Sequence, residues 1–175
     1  GPTWYITESG NDTIATGASD DPFRSIQAGI NFSSDADSVT VAVGTYVENI
    51  NFRGRNIKVV GEGLETTIID GNQSGSVVFI DSESEVPAEY STPVLSQFTI
   101  INGSGHKPDW TDNTFGGGIV VGNCNPTLSH LIIKENSATT GGGIYFGTAG
   151  VENTFDNVIS KILRYTMRRG IRINL

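Results

Sequence analysis

Two histidines, His106 and His130, supply every imidazole in this 175-residue chain, and the first stands in the segment "GHKPDWTDN", which also carries Lys107, Asp109, Trp110 and Asp112. An imidazole beside a carboxylate can move a proton at neutral pH, and two carboxylates across a scissile bond can cut a glycoside. The catalytic set this points to is His106, His130, Asp109 and Asp112. The same side chains offer a second chemistry: His106, His130 and Asp109 have the donor types for zinc or another transition metal, with Cys124 on the next turn. Calcium is an alternative divalent ion, through Asp35 and Asp37 in "SSDADS" or Asp12 in "GNDT", although neither follows the twelve-residue loop pattern. The competing reading makes the two histidines solvent-facing residues of a wide loop and an outer strand face, and the aspartates turn formers.

A second group suits binding. Trp110 lies in the same segment as His106, and Tyr145 faces outward because Ile144 and Phe146 on either side face inward. With Lys134 and Glu135 they outline a platform for a sugar ring or another planar ligand; alternatively Trp110 folds back to pin its own loop. Of the remaining acids, Asp70 in "IIDGN" reads as a turn former, and Asp81, Glu83 and Glu85 in "DSESE" as a solvated loop. Lys134, Arg53 and Arg55 are the available bases. Nucleotide motifs are excluded: "VVGEGLET" has Thr66 where a third glycine is required and a strand-like "TTIIDG" where a helix is required, and no Gly-Lys pair or G-x-S-x-G exists.

Charge narrows the partners. Up to Ser160, six Lys or Arg stand against 19 acids, a balance of −13, whereas residues 161–175 carry +5. An acidic body repels nucleic acid and anionic lipid, and disfavours polyanionic sugars unless a cation bridges them. No apolar run is long enough for a transmembrane helix, and the lone Cys124 excludes an internal disulfide.

What positions these residues is a series of short strands. "SDDPFRSIQAGI" predicts one amphipathic helix over Pro22 to Asn31, with Asp21 as N-cap, Pro22 in the first turn and Phe23, Ile26 and Ile30 on one face. Behind it come alternating runs, with Val39/Val41/Val43, Ile50/Phe52, Ile57/Val59, Val77/Phe79, Phe98/Ile100, Ile119/Val121, Leu131/Ile133 and Ile144/Phe146 read as inward. The glycine-rich turns between them repeat: "PVLSQFTIINGSG" from Pro93 aligns with "PTLSHLIIKENSA" from Pro126, and each leads into a GGGI, at Gly116 and Gly141. The first copy is eight residues longer, and the excess is placed in "HKPDWTDN". A fainter third copy sets "NTFDNVIS" on "PTLSHLII", with Arg168 and Arg169 in place of glycines. Repeats of this length cannot bury their own apolar faces and must stack.

The capping segment "PFRSIQAGI", the run "DSVTVAVGTYVENINFRGRNIKVVGEG", "TTIIDGNQSG" and the two P-x-L-S…GGGI units resemble the right-handed parallel β-helix proteins of the pectin-lyase-like superfamily. The repeats are also similar to those of polymorphic outer-membrane and adhesin-like β-helices. The resemblance implies an all-β, right-handed parallel β-helix of about five coils with an N-terminal capping α-helix: residues 3–37 as cap, 38–147 as coils, 148–175 as a degenerate coil or C-terminal cap. Gly1-Pro2 reads as a scar of tag removal. The resemblance further implies a secreted or cell-surface location, and a polysaccharide or ester-bearing small molecule as substrate, with hydrolase-like chemistry. The grouping of arginine with calcium carboxylates found in the lyases of that superfamily is not reproduced here, which counts against lyase activity. The alternative is a non-catalytic adhesin or structural module, or a fragment of a longer surface protein. An unpaired edge and a basic tail beside an acidic body favour a homo-oligomer.

Overall fold

The computed structural model describes residues 1–81 and 91–147, and the backbone of 154–160. Twelve strands and one helix follow in the order β1 (Thr3–Ile6), α1 (Ile26–Phe32), β2 (Ser38–Val41), β3 (Gly44–Val47), β4 (Ile50–Asn51), β5 (Lys58–Gly61), β6 (Thr67–Asp70), β7 (Val78–Ile80), β8 (Val94–Ile101), β9 (Ile119–Val121), β10 (Thr127–Ile133), β11 (Ile144–Phe146) and β12 (Thr154–Ser160). All strand pairs are parallel, and each strand pairs with its counterpart one coil away. One face runs β1-β2-β5-β8-β10-β12, a second sets β3 and β6 beside the later half of β8, and a third runs β4-β7-β9-β11. The chain is therefore a three-faced parallel solenoid.

Stacking converts the short alternating runs into ladders. Val39, Val59, Leu95 and Leu128 stack in register on the first face, and Tyr46, Ile69, Ile100 and Ile133 on the second. Ile50, Val78, Ile119 and Ile144 stack on the third. Nearly all are fully buried, and they meet in one core. A buried Val, Leu or Ile contributes about 1.5–3 kcal/mol by leaving water. No single coil holds enough of them to fold by itself.

Two corners depend on residues in left-handed backbone. The pairing of β8 with β10 passes from Ser96↔Ser129 to Phe98↔Leu131, and the residues skipped are Gln97 (φ 66°) and His130 (φ 50°). Each bends its strand from the first face to the second. Asn102 (φ 59°) and Glu135 (φ 58°) end the second face in the same way. Asn and His are among the residues that tolerate this conformation best.

The repeats register as their alignment predicts. Leu95 pairs with Leu128, Ile119 with Ile144, and Thr127 with Thr154, so the fainter third copy is a real rung as far as Ser160. Gly116 (φ 57°) and Gly141 (φ 66°) turn the chain before each third-face strand. A side chain on Gly117 would run into the Gly142 carbonyl of the next coil.

Three expectations need correction. The helix begins at Ile26, not Pro22, because Phe23 is extended and bonds to β1 through Tyr5 O and Thr7 N. Ser25 is the N-cap, its side chain accepting from Ala28 N, while the Asp21 carboxylate accepts from Thr16 instead. Ile26 and Ile30 are buried as the spacing predicts, and the helix packs on β1, β2 and β4. Val43 is exposed, since β2 ends at Val41. Phe79 points outward, because the pairing of Val78 with Ile50 and Ile119 puts Val78 and Ile80 inside. Residues 161–175, including Arg168 and Arg169, lie outside the described residues. Among those described, no helix is long and apolar enough to cross a membrane.

Candidate functional site: an aromatic strip on the third face

The loop from the second face to the third is short in one coil and long in its neighbour. Gly105 sits against Ala138, and Thr114 exchanges hydrogen bonds with Thr139 (Thr114 N to Thr139 Oγ1, 3.2 Å; Thr139 N to Thr114 Oγ1, 3.0 Å). Between these two matched points the longer loop has residues 106–113, the "HKPDWTDN" of the sequence. His106 and Phe115 close it as an antiparallel bridge, each amide donating to the other's carbonyl at 2.8 and 2.9 Å. Its tip is held by Thr111 N to Pro108 O (3.3 Å), Asn113 N to Thr111 Oγ1 (3.1 Å) and an ion pair of Lys107 with Asp112 at 2.9 Å. The insertion is thus a closed hairpin. Trp110, 78% exposed, stands at its tip.

Beneath the hairpin lie the outward positions of the third face: Asn51, Phe79, Val120 and Tyr145, stacked in register. Val120 is covered by the backbone turn at Gly116. The aromatic rings form a pair and a run of three, joined by the His106–Phe115 backbone bridge. His106 meets Phe79 edge-on with centroids 5.4 Å apart, Phe115 lies 4.8 Å from Tyr145, and Trp110 lies 6.1 Å from Phe115. Phe79, Phe115 and Tyr145 are each half-buried. Rings held by coil stacking and by a bonded hairpin present their faces at little further ordering cost, which favours ligand binding.

The structure sorts the expected site residues. His106, Asp109, Trp110 and Asp112 share the hairpin, and Tyr145 joins them through Phe115. His130 does not, being a corner residue between the first and second faces, separated from the hairpin by the rest of β10 and the whole second face. Lys134 and Glu135 stand at the corner leaving the second face, 4.0 Å apart as an ion pair. The zinc set of His106, His130 and Asp109 is therefore not assembled, and no three His, Cys, Asp or Glu side chains group as metal ligands among the described residues.

Cys124 is buried, its thiol donating to Ile80 O at 3.7 Å and pushed up to about 12 by burial and then by Asp81. The calcium candidates are engaged in structure. Asp37 accepts from Ser34 N and Trp4 Nε1, Asp35 from Asn56 N, and Asp12 from Arg24 and Ser25 N. Asp70 is the turn former expected, accepting from Asn72 N and Asn102 Nδ2. Arg53 is a left-handed turn residue and Arg55 donates to Ser33 O. Asp81 is described; Glu83 and Glu85 lie outside the described residues.

Phe79 and Phe115 escape sequence reasoning. In "SVVFI" either alternation is apolar, and only alignment of Val78 with Ile119 fixes the phase. Phe115 precedes the triple glycine and corresponds to Thr140, so the repeat hides it.

No family model matches the sequence, and no curated protein does. The fold does have solved counterparts. A pectin methylesterase variant crystallised with a hexasaccharide superposes on 90% of this chain with a TM-score of 0.59 at 14% identity, and this chain covers 48% of it. A second pectin methylesterase complex with a hexasaccharide gives 0.52 over 82% of the chain at 13% identity, with 45% of that protein covered. The fold is that of a right-handed parallel β-helix, and the chain spans about half the length of these enzymes.

Proposed function

We propose that this protein binds an extracellular polysaccharide on the aromatic strip of its third face, without cleaving it. The observation that carries this reading is the exposed Trp110 ring, linked through Phe115 to Tyr145 on a stacked face. Aromatic faces match the apolar faces of sugar rings, and Trp and Tyr combine a large contact area with few rotatable bonds. The likeness of fold to enzymes crystallised with hexasaccharides supports a saccharide as the ligand class.

Binding is favoured over hydrolysis by what surrounds the strip. Its outward sheet positions are an amide, two aromatics and an aliphatic residue, and Asp112 faces Lys107 in an exposed ion pair. Asp109 and His106 are the two other hairpin groups that hydrolysis of an ester or glycoside would have to use. The test is affinity electrophoresis against a panel of soluble polysaccharides, run beside assays for released reducing ends and methanol. The reading expects retardation that is lost in Trp110→Ala and Tyr145→Ala, with no release. Release by wild type that is abolished in Asp109→Ala or His106→Ala would replace binding by hydrolysis, and retardation untouched by the aromatic substitutions would move the site elsewhere.

A further inference from the structure

We infer that the glycan seated on this strip is uncharged, a neutral polysaccharide rather than a polyuronate. The inference rests on the glycan-binding reading above and names its ligand class. It comes from an account of every cation the described chain can offer. Up to Ser160 there are six: Arg24, Arg53, Arg55, Lys58, Lys107 and Lys134. Among the described residues, Lys107 stands at the hairpin, facing Asp112 at 2.9 Å in an exposed ion pair, and Arg53 follows Asn51 at the far end of the strip, its amide donating to Asn51 Oδ1. Lys134, at the neighbouring corner, faces Glu135 at 4.0 Å. Arg55 is turned to the Ser33 and Asn31 carbonyls on the turn from the third face to the first. Arg24 lies beside the helix start, Arg53 in the same turn as Arg55, and Lys58 opens a first-face strand.

A uronate chain brings one carboxylate per residue and would need cations spaced along the strip, Arg forks above all, because bidentate pairing is what makes carboxylate recognition strong. The outward ladder instead offers Asn51, Phe79, Val120 and Tyr145. At the hairpin, Asp109 adds an exposed negative charge. Across the whole chain, 19 acids outnumber 11 Lys and Arg, a net charge of −8, so the long-range field also opposes a polyanion. Rings without charge suit a pyranose face that carries only hydroxyls and C–H groups.

One polymer in two charge states isolates the variable. Polygalacturonate is compared with the same preparation after its carboxyls are reduced to primary alcohols, and both with neutral galactan and glucan, by affinity electrophoresis and calorimetry of the full chain. We expect the neutral polymers to bind at least ~10-fold more tightly than polygalacturonate. Raising salt from about 20 mM to about 200 mM should leave neutral binding within roughly twofold while easing any residual repulsion of the uronate. Polygalacturonate binding as tightly as its reduced form, and still lost in Trp110→Ala, would overturn the inference and leave the strip as the site. Binding of none of the polymers, or binding that Trp110→Ala does not weaken, would overturn the site itself and the inference with it.

Discussion

The ring of Phe115 lies 4.8 Å from that of Tyr145 although the two residues belong to different coils, one on the return arm of a hairpin and the other on a third-face strand. This contact ties the inserted hairpin to the stacked sheet, so Trp110 is oriented by the solenoid and not by its own loop alone. A tilted aromatic pair of this kind contributes about 0.5–1.5 kcal/mol beyond area burial. A double-mutant cycle with Phe115→Ala and Tyr145→Ala, followed by urea midpoints and by glycan binding, should return a coupling of that order in both readouts. Coupling in stability with none in binding would detach the pair from the site.

Trp110→Ala is expected to leave stability within about 0.5 kcal/mol, since the indole is largely in solvent and, among the described residues, its ring neighbour is Phe115. Binding should fall about tenfold or more, the size of a central aromatic anchor. A large drop in thermal midpoint instead would show the indole pinning the loop, the alternative role left open by the sequence.

Removing residues 106–113, so that Gly105 joins Thr114, should preserve the fold. The neighbouring coil makes the same passage from Ala138 to Thr139 directly, with Thr114 and Thr139 already hydrogen-bonded across the coils. The expected variant keeps its far-ultraviolet circular dichroism and loses glycan binding. Unfolding would mean that the hairpin contributes to coil stacking as well as to the site.

The same insertion shows how far the sequence could be read. Two aligned repeats that differ by eight residues located the hairpin to the residue, because stacking forces equivalent positions into register and leaves any excess nowhere to go but outward. Strand phase was harder. Val77 and Val78 are both buried, so "SVVFI" carries no polar marker of which side faces out, and alternation alone sends Phe79 inward. His130 misled for a related reason: its place beside Gln97 was correctly aligned, but a single sequence does not reveal that both residues are the bend between two faces. The helix start failed through tertiary override, since pairing of Phe23 with β1 outweighs a favourable Asp-Pro start.

Cys124 should be unreactive in the native protein. It is 1% exposed, donates to Ile80 O, and its thiol lies near pH 12, so almost no thiolate exists at neutral pH. Ellman's reagent is expected to report no thiol before denaturant is added and one thiol per chain afterwards. Fast native labelling would contradict the packing of the β7 and β9 ends around it.

Two carboxylates near the first coil should give opposite pH slopes to stability. Asp37 is held below its ordinary 3.8, first by the Ser34 amide and also by the Trp4 indole, against the opposing effect of burial. Its contribution is present above the unfolded value and is lost as pH falls through the folded one. Glu48 is raised above 4.5 by burial, which outweighs the Ile26 and Gln27 amides that it accepts from, and Asp12 adds to the rise. Its contribution is complete below the unfolded value and is lost as pH climbs through the folded one. Stability of wild type measured against Asp37→Asn should therefore grow with rising pH, whereas the difference against Glu48→Gln should shrink over the range just above 4.5. Parallel slopes for the two variants in urea unfolding would show that the helix-side carboxylate is solvated and that the two amides, not burial, set its charge.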